Sequence, residues 1–277
     1  MTDTAKYFRK GEIDMLRSMY AGISGMRGFQ TKLDVVGNNI ANVNTSGFKK
    51  GRVTFQDMMS QTTSGAQGPT AGRGGVNPIQ VGLGSQLGSI DNIHTQGFRQ
   101  STGNPLDFQL EGNGMFILEG NGTTYYTRAG NFYLDDNDRI VNANGYYLQS
   151  MNGGYITIPQ DAKSFDISSD GTVTYIAANG SNQTAGQIAL ANFSNPGGLE
   201  KAGSNLYLMS ENAGYNGISA PETDGTAKVI AGALEMSNVD LSEEFTEMIT
   251  AQRGFQANTR IITTSDEILQ ELVNLKR

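Results

Sequence analysis

Apolar residues recur every seven positions at both ends of this chain, and this spacing constrains the fold more than any other feature. The N-terminal repeat contains Met19, Met26, Leu33 and Ile40, and Ile23 lies four residues after Met19 on the same predicted helix face. The C-terminal repeat contains Leu241, Met248, Phe255, Ile262 and Leu269, and Phe245 lies four residues after Leu241 on the same predicted helix face. A seven-residue apolar repeat is typical of helices that pack against one another. We therefore predict two long terminal helices that pair with each other or with other copies of the chain.

Glycines interrupt the first of these helices. Gly22, Gly25 and Gly28 lie inside the repeat, and each costs a helix about 1 kcal/mol relative to Ala. Close packing against a neighbouring backbone would explain them, because glycine has no Cβ. The alternative is a pair of ordinary amphipathic helices that lie on a central domain. The C-terminal helix, predicted over about 241–275, argues against this alternative because its polar face is rich in Thr, Gln and Asn.

The region between the helices shows short apolar runs separated by turn signals, a pattern that predicts β-strands. The pairs 121–122, 144–145, 170–171 and 179–180 are Asn-Gly or Asp-Gly, which favour type I′ hairpin turns. Strands are predicted at 107–110, 115–119, 123–128, 131–134, 139–141, 146–149, 155–158, 165–167, 172–176, 187–193 and 229–236. The predicted fold class is α+β and mainly β, with the two terminal helices paired as a coiled coil.

The change of character along the chain predicts five segments. They are an upstream extension or tag that is disordered (1–14), an N-terminal helix (15–49), an extended bridging region (50–105), a β-rich domain (106–232) and a C-terminal helix (233–277). The bridging region is expected to be mostly loop, because glycine and proline break any periodic pattern there.

Composition excludes several classes of function. The chain has 277 residues, no Cys and a single His, so it cannot form a disulfide, a thiolate site or a multi-histidine metal centre. The net charge of −7 argues against nucleic acid and anionic lipid as partners. Apolar runs long enough to span a bilayer are absent from the sequence. We expect no enzyme activity, no catalytic or metal-binding residue and no cofactor.

Individual motifs support this expectation. Gly112-x-Gly114 lacks the rest of a nucleotide-binding loop, and Ser24 misses the spacing of a nucleophile elbow. The acidic stretch 135–138 lacks the glycine of a calcium loop and is interpreted as a hairpin turn. His94 is interpreted as a surface residue or a satisfied polar contact. Lys49, Lys50 and Arg52, close to Phe48 and Phe55, are expected to contact acidic residues of a neighbouring molecule.

Three separated stretches resemble the rod and hook proteins of the bacterial flagellum. They are residues 33–50, residues 112–116 with 126–132, and residues 235–275. The positions that carry the resemblance are Asn38, Asn39, Asn42, Thr45, Gly47, Phe48, Tyr126, Thr127, Arg128, Gly130, Phe132, Asn238, Val239, Gln252 and Arg253. Residues 188–193, 238–242 and 272–277 are most similar to hook subunits, in particular to the short hook subunits of Gram-positive bacteria. The Gly/Gln/Thr-rich stretch at about 60–81 is similar to one in distal rod proteins.

This resemblance implies a structural subunit of the flagellar hook, a curved helical tube that transmits torque and encloses an export channel. The alternative is the distal rod, and an alternative of another class is a secreted adhesin or binding module. The implied partners are copies of the chain, rod and hook–filament junction proteins, the hook cap and the flagellar type III export apparatus. Nucleic-acid binding and membrane insertion are not expected. The implied location is the extracellular part of the flagellum, reached without a cleaved signal peptide.

Overall fold

The structure is a computed structural model that describes residues 3–70 and 72–275. Its contacts divide the chain into two compact units. Unit 1 contains the described parts of residues 1–40, 51–91 and 241–277, and unit 2 contains residues 41–50 and 92–240. Both terminal helices therefore belong to unit 1, and the greater part of the β structure belongs to unit 2.

The two helices are α1 (Asp3–Ala41) and α2 (Leu241–Leu275). The bounds of α2 match the predicted range, and Glu243 and Glu244 lie in its first turn, where the helix dipole favours negative charge. Residues 3–14, which we expected to be disordered, are part of α1. The stretch contains Ala5, two lysines, Arg9 and Glu12, which have high helix propensity, and it continues directly into the apolar repeat of α1. Residues 1 and 2 of the expected extension lie outside the described residues.

The helices pack against each other in antiparallel orientation. A Cβ added to Gly22 would lie 3.4 Å from Ile262, and one added to Gly25 would lie 3.0 Å from the Asn258 side chain. Further along α1, the ring of Phe29 would lie 2.5 Å from a Cβ at Gly254 of α2. The predicted helix pair is confirmed, and glycine at these positions allows the two backbones to approach closely.

The strands alternate with turns along the whole region between the helices. In chain order they are β1 (Gly51–Asp57), β2 (Ser60–Ser64), β3 (Ile79–Gly82), β4 (Ser85–Asn92), β5 (Arg99–Ser101), β6 (Phe108–Glu111), β7 (Met115–Gly120), β8 (Thr123–Thr127), β9 (Phe132–Leu134), β10 (Ile140–Asn142), β11 (Tyr147–Leu148), β12 (Ser164–Ile167), β13 (Thr172–Ile176), β14 (Asn182–Gln187), β15 (Leu190–Phe193), β16 (Glu200–Gly203), β17 (Leu206–Leu208), β18 (Tyr215–Ser219), β19 (Lys228–Ala231) and β20 (Ala233–Glu235). A short 3₁₀ turn covers Pro196–Gly198.

Unit 2 is built around a nine-stranded sheet. The order is β16-β17-β8-β7-β11-β10-β9, and β15 joins it by pairing with β7 and β18. The pairs β19-β6 and β20-β5 and the three strands β12-β13-β14 complete the unit. Its core contains Phe108, Phe116 and Phe132, whose ring centroids are 5.3–6.3 Å apart. The predicted class, terminal helices with a central region of short antiparallel strands, is confirmed.

Two details of the prediction are wrong. Of the four turn pairs, only Asn121–Gly122 has positive φ at both residues, as a type I′ turn requires; in the other three only the glycine does. The bridging region is also less irregular than expected, because β1 pairs with β4, and β2 pairs with β3 in a hairpin arm. Every residue of β2 and β3 is exposed, so these strands show no burial alternation.

Candidate functional site

The residues expected to mediate self-assembly form half-buried and exposed surfaces on the two helices. Every apolar residue of the N-terminal repeat, from Met19 to Ile40, is partly buried. On α2, the residues from Met248 to Leu269 at seven-residue spacing are also partly buried, whereas Leu241 and Phe245 are 41% and 50% exposed. Assembly through these residues stays a prediction.

The most buried seam of α2 was missed by the sequence analysis. It lies three residues away from the apolar repeat and contains small and polar residues at seven-residue spacing, with Glu244, Ala251 and Ser265 buried and Asn258 partly buried. Asn258 faces Gly25 of α1. These residues also recur every seven positions, but most of them are polar, so they do not form part of an apolar repeat.

One asparagine of the first motif connects three separate segments of unit 1. Asn39 Nδ2 donates to Gly51 O at 2.9 Å and to Glu244 Oε2 at 3.0 Å, while Gly51 N donates to Asn39 Oδ1 at 3.0 Å. Asn39 is 1% exposed. We call this arrangement the Asn39 clamp. It fastens the end of α1 to the start of β1 and to the first turn of α2, so the three elements hold one geometry.

A carboxylate at the centre of unit 2 connects all three motifs. Glu235 Oε1 accepts from Lys49 Nζ at 2.6 Å and from Gly97 N at 2.9 Å, and Glu235 Oε2 accepts from Arg128 Nε at 2.8 Å. The three charged side chains are at most 6% exposed. We call them the Glu235 network. Lys49 comes from the first motif, Arg128 from the second and Glu235 from the third. The expectation that Lys49 contacts a neighbouring molecule is wrong, because its acidic partner lies in the same chain.

Electrostatics keep the Glu235 network charged. Burial by itself would raise the pKa of Glu235, but Arg128 and Lys49 reverse this effect and hold the pKa below its ordinary value. Burial lowers the pKa of Lys49, Glu235 opposes that change, and the charge of Arg128 adds to it. Removing one partner would leave a buried charge without compensation, so the loss of any of these three charged side chains would destabilise unit 2.

A second asparagine connects three segments of unit 2. Each of them lies close in sequence to a point where the chain passes into unit 1. Asn238 Oδ1 accepts from Lys50 N at 2.8 Å, and Asn238 Nδ2 donates to Ile93 O at 2.8 Å and to Thr95 Oγ1 at 2.9 Å. Ile93 N also donates to Lys50 O at 2.9 Å. This Asn238 clamp connects residues 50, 93–95 and 238.

Glycines allow the motif segments of unit 2 to approach each other. Gly47 has φ +69° and donates its N–H to Glu235 O at 2.8 Å. A Cβ at Gly47 would lie 2.5 Å from Ala129 N, and a Cβ at Gly130 would lie 1.7 Å from Phe108 O. Both contacts are with backbone atoms, which cannot move aside. Any larger residue at either position would therefore force the segments apart.

The remaining motif residues support these segments. Thr45 Oγ1 donates to Asn42 Oδ1 at 3.1 Å in the turn after α1, Thr127 Oγ1 donates to Asn205 O at 2.8 Å, and Asn38 is exposed near the end of α1. Four others are buried: Phe48, Tyr126, Phe132 and Val239. Gln252 and Arg253 are not brought to the clamps or to the network, since both are exposed on α2. Arg52 is also exposed and pairs with Asp91 at 3.6 Å.

The structure places His94 differently from its expected surface position. The ring is partly buried, both ring nitrogens are buried, and neither has a hydrogen-bond partner in the described part of the chain. Burial, with the charges of Lys49, Arg128 and Lys201, lowers the pKa of His94 to about 4. The imidazole is therefore neutral at pH 7. No sequence motif indicated that positively charged residues lie around His94.

The described residues contain neither a metal-binding cluster nor a helix suited to span a membrane. Across residues 3–70 and 72–275, acidic residues and histidine form no group suited to hold a metal ion. Neither described helix is long and apolar enough to cross a membrane.

Three family profiles match the chain. The profile of the flagella basal body rod protein matches residues 19–49, the flagellar hook protein FlgE/F/G D1 domain matches residues 109–175, and the flagellar basal body rod FlgEFG protein C-terminal profile matches residues 230–275. The first match contains Asn39 and Lys49, the second contains Arg128, and the third contains Glu235, Asn238 and Glu244.

Individual relatives match nearly the whole chain. The flagellar basal-body rod protein FlgG of Bacillus subtilis is 58% identical over 264 residues, covering 95% of this chain and 100% of that protein. FlgG of Caulobacter vibrioides is 41% identical, covering 94% and 100%. The flagellar hook protein FlgE of Borreliella burgdorferi is 32% identical, covering 95% and 100%, in an alignment of 441 residues.

Proposed function

Because this chain belongs to the flagellar rod and hook FlgE/F/G family of axial structural proteins, we propose that it is the subunit of the distal rod. The observation that carries the proposal is the 58% identity to a basal-body rod protein along that protein's full length. This family builds structure and the chain is not an enzyme.

The comparisons favour the rod over the hook, which was our first expectation. The similarity to a hook protein is lower, at 32%, and its alignment extends over 441 residues, many more than the 277 of this chain. A hook subunit of that kind therefore carries additional sequence that this chain lacks.

Assembly through the terminal helices is supported by unpaired apolar surface. On α2, Leu241, Phe245 and Ile249 follow one another at four-residue spacing and are 41%, 50% and 58% exposed. Ile261 and Ile268 are also exposed on the same helix. Apolar residues at this spacing form one helix face, and covering such a face by other copies of the chain would release its water.

The two clamps stabilise the segments that lie close to the passages between the units. The chain passes between its two units after residues 40, 50, 91 and 240. The Asn39 clamp joins residues close to three of these passages within unit 1, and the Asn238 clamp joins residues close to three of them within unit 2. Each unit therefore resists local separation of these segments, because a polar group that loses its partner away from water is costly. Such local stiffness suits a subunit that has to carry torque.

Other expectations from the resemblance become part of this proposal. We expect the subunit to assemble with copies of itself and with other axial proteins as a component of the basal body. We also expect it to leave the cell through the flagellar type III export apparatus and to contribute to the wall of a central channel.

Complementation distinguishes the rod from the hook. The full chain is expressed in a Bacillus subtilis strain that lacks FlgG, and separately in a strain that lacks its hook subunit. We expect swimming to return in the first strain only. Return of swimming in the second strain alone would overturn the rod assignment.

Electron microscopy adds a structural measurement to this genetic test. Antibody to the chain should label the straight segment of isolated basal bodies and leave the curved hook unlabelled. Glu111→Gln, a change at an exposed ion pair with Lys228, provides a matched control that should complement fully. Label along the curved hook would contradict the proposal.

A further inference from the structure

A small cavity in unit 2 borders the Glu235 network. It has a volume of about 90 Å³, and its lining includes Lys49, His94, Gln96, Asn113 and Arg128. None of its lining residues within the described chain is acidic. We propose that this cavity binds a small monovalent inorganic anion of the size of chloride, held by Lys49, Arg128 and His94.

The charges of the Glu235 network favour a bound anion. The network contains two buried cations, Lys49 and Arg128, and one buried carboxylate, Glu235. Buried charges that are not matched by opposite charge carry a large desolvation cost. Lys201 adds a further positive charge that acts on His94. One bound anion would make the network neutral.

Lys49 and Arg128 both have more hydrogen-bond donors than protein partners in the described chain. A lysine ammonium has three donors, and Lys49 uses one on Glu235 and one on Thr95 O at 2.7 Å. An arginine has five. Arg128 directs Nε to Glu235, Nη1 to Gly114 O, and Nη2 to Gly112 O at 2.7 Å and Leu110 O at 3.5 Å. Each side chain therefore retains one N–H donor beyond its protein partners in the described chain.

His94 provides a further donor at the same cavity. Both of its ring nitrogens are buried without a protein partner in the described chain, and a buried polar atom of this kind calls for water or an ion as its partner. The neutral ring carries one N–H donor. Three donors from three residues thus border one cavity, and the cations among them favour an anion over water.

The size of the cavity admits a small anion. Its volume of about 90 Å³ exceeds the roughly 10–15 Å³ that one enclosed water molecule requires. The cavity therefore has room for a chloride ion together with water molecules.

The single histidine makes the test direct. The full chain is placed in sodium gluconate, whose anion is much larger than chloride, and chloride replaces gluconate at constant ionic strength. We expect a saturable shift of the only imidazole Cε1–H signal in the NMR spectrum. At ten times the dissociation constant, the folding equilibrium should shift about 11-fold, and the midpoint of thermal unfolding should rise by about 2–4 °C.

Two variants identify the site. Lys49→Met removes one cation and leaves Glu235 paired with Arg128, so the chloride response should disappear. Lys228→Met removes an exposed cation that pairs with Glu111 at 2.9 Å and should keep the full response. Circular dichroism checks that each variant is folded.

The results that would overturn the proposal are equally defined. Identical His94 signals and identical unfolding midpoints in chloride and gluconate would mean that the cavity holds water alone. A full chloride response in Lys49→Met would place the anion elsewhere. If Lys49→Met does not fold, bromide in crystals of the unaltered chain decides the question, since an anomalous peak beside His94 and Arg128 is expected and its absence refutes the site.

Discussion

Acid should destabilise unit 2 in part through its single histidine, His94. Its pKa is lowered from 6.5 to about 4 by burial and by the charges of Lys49, Arg128 and Lys201. The unfolded chain, in which the ring is hydrated, therefore binds a proton more readily than the folded chain does between these two pH values. The resulting stability is fully present above about pH 6.5 and is lost as the pH falls toward 4.

The size of the effect follows from the two pKa values. A difference of one in pKa corresponds to about 1.4 kcal/mol, so the interval from 6.5 to about 4 gives up to about 3 kcal/mol of unfolding free energy. His94→Gln removes the titrating group and keeps a polar side chain. The variant should lose correspondingly less stability than the unaltered chain on going from pH 7 to pH 4.

The assay is urea denaturation followed by circular dichroism, in gluconate buffers at several pH values. An NMR titration of the single imidazole measures the folded pKa independently. A folded pKa near 6.5, or equal pH dependence of the two proteins, would refute the argument that His94 lies in a buried and positively charged surrounding.

Two further predictions concern stability. Glu235→Gln should lower the free energy of unfolding by about 3–5 kcal/mol, because two buried cations lose their carboxylate. Glu111→Gln, at an exposed ion pair, should change it by less than about 1 kcal/mol. Chemical denaturation measures both variants, and equal effects would contradict the role of burial. Gly254→Ala should destabilise the helix pair by about 1–3 kcal/mol, since the new methyl group meets Phe29. Gly37→Ala, with no atom within 4 Å of its added Cβ, should instead stabilise α1 by about 1 kcal/mol, and the reverse order of these two variants in thermal unfolding would refute the packing.

The helices and the central strands were predictable because their signals are local. The seven-residue apolar repeat led to α2 with its correct bounds, and apolar runs marked strands such as β7 and β13. Strand β14 and strands β16 to β18 were not predicted separately, and β14 and β16 are largely polar and exposed. The predicted strand 229–236 is divided in the structure by Gly232, whose φ is +74°.

The clamps and the network could be predicted only in part. The resemblance pointed to Asn39, Arg128 and Asn238 one by one, because each belongs to a recurring motif. Nothing in local sequence shows that Lys49 meets Glu235, since pairing of distant charges depends on how the sheet brings the motifs together. The same reason explains why His94 was interpreted as a surface residue.

The Glu235 network also has a consequence for the order of folding. Lys49 and Glu235 are separated by 186 positions along the chain, and Asn39 and Glu244 by 205. Contacts of such long sequence separation form slowly, because a large loop must close before they contribute. The N-terminal motif thus has no ionic partner until nearly the whole polypeptide is available. A chain that emerges from its N-terminal end, at synthesis or through a narrow channel, completes its central ionic contacts only when its last fifth appears.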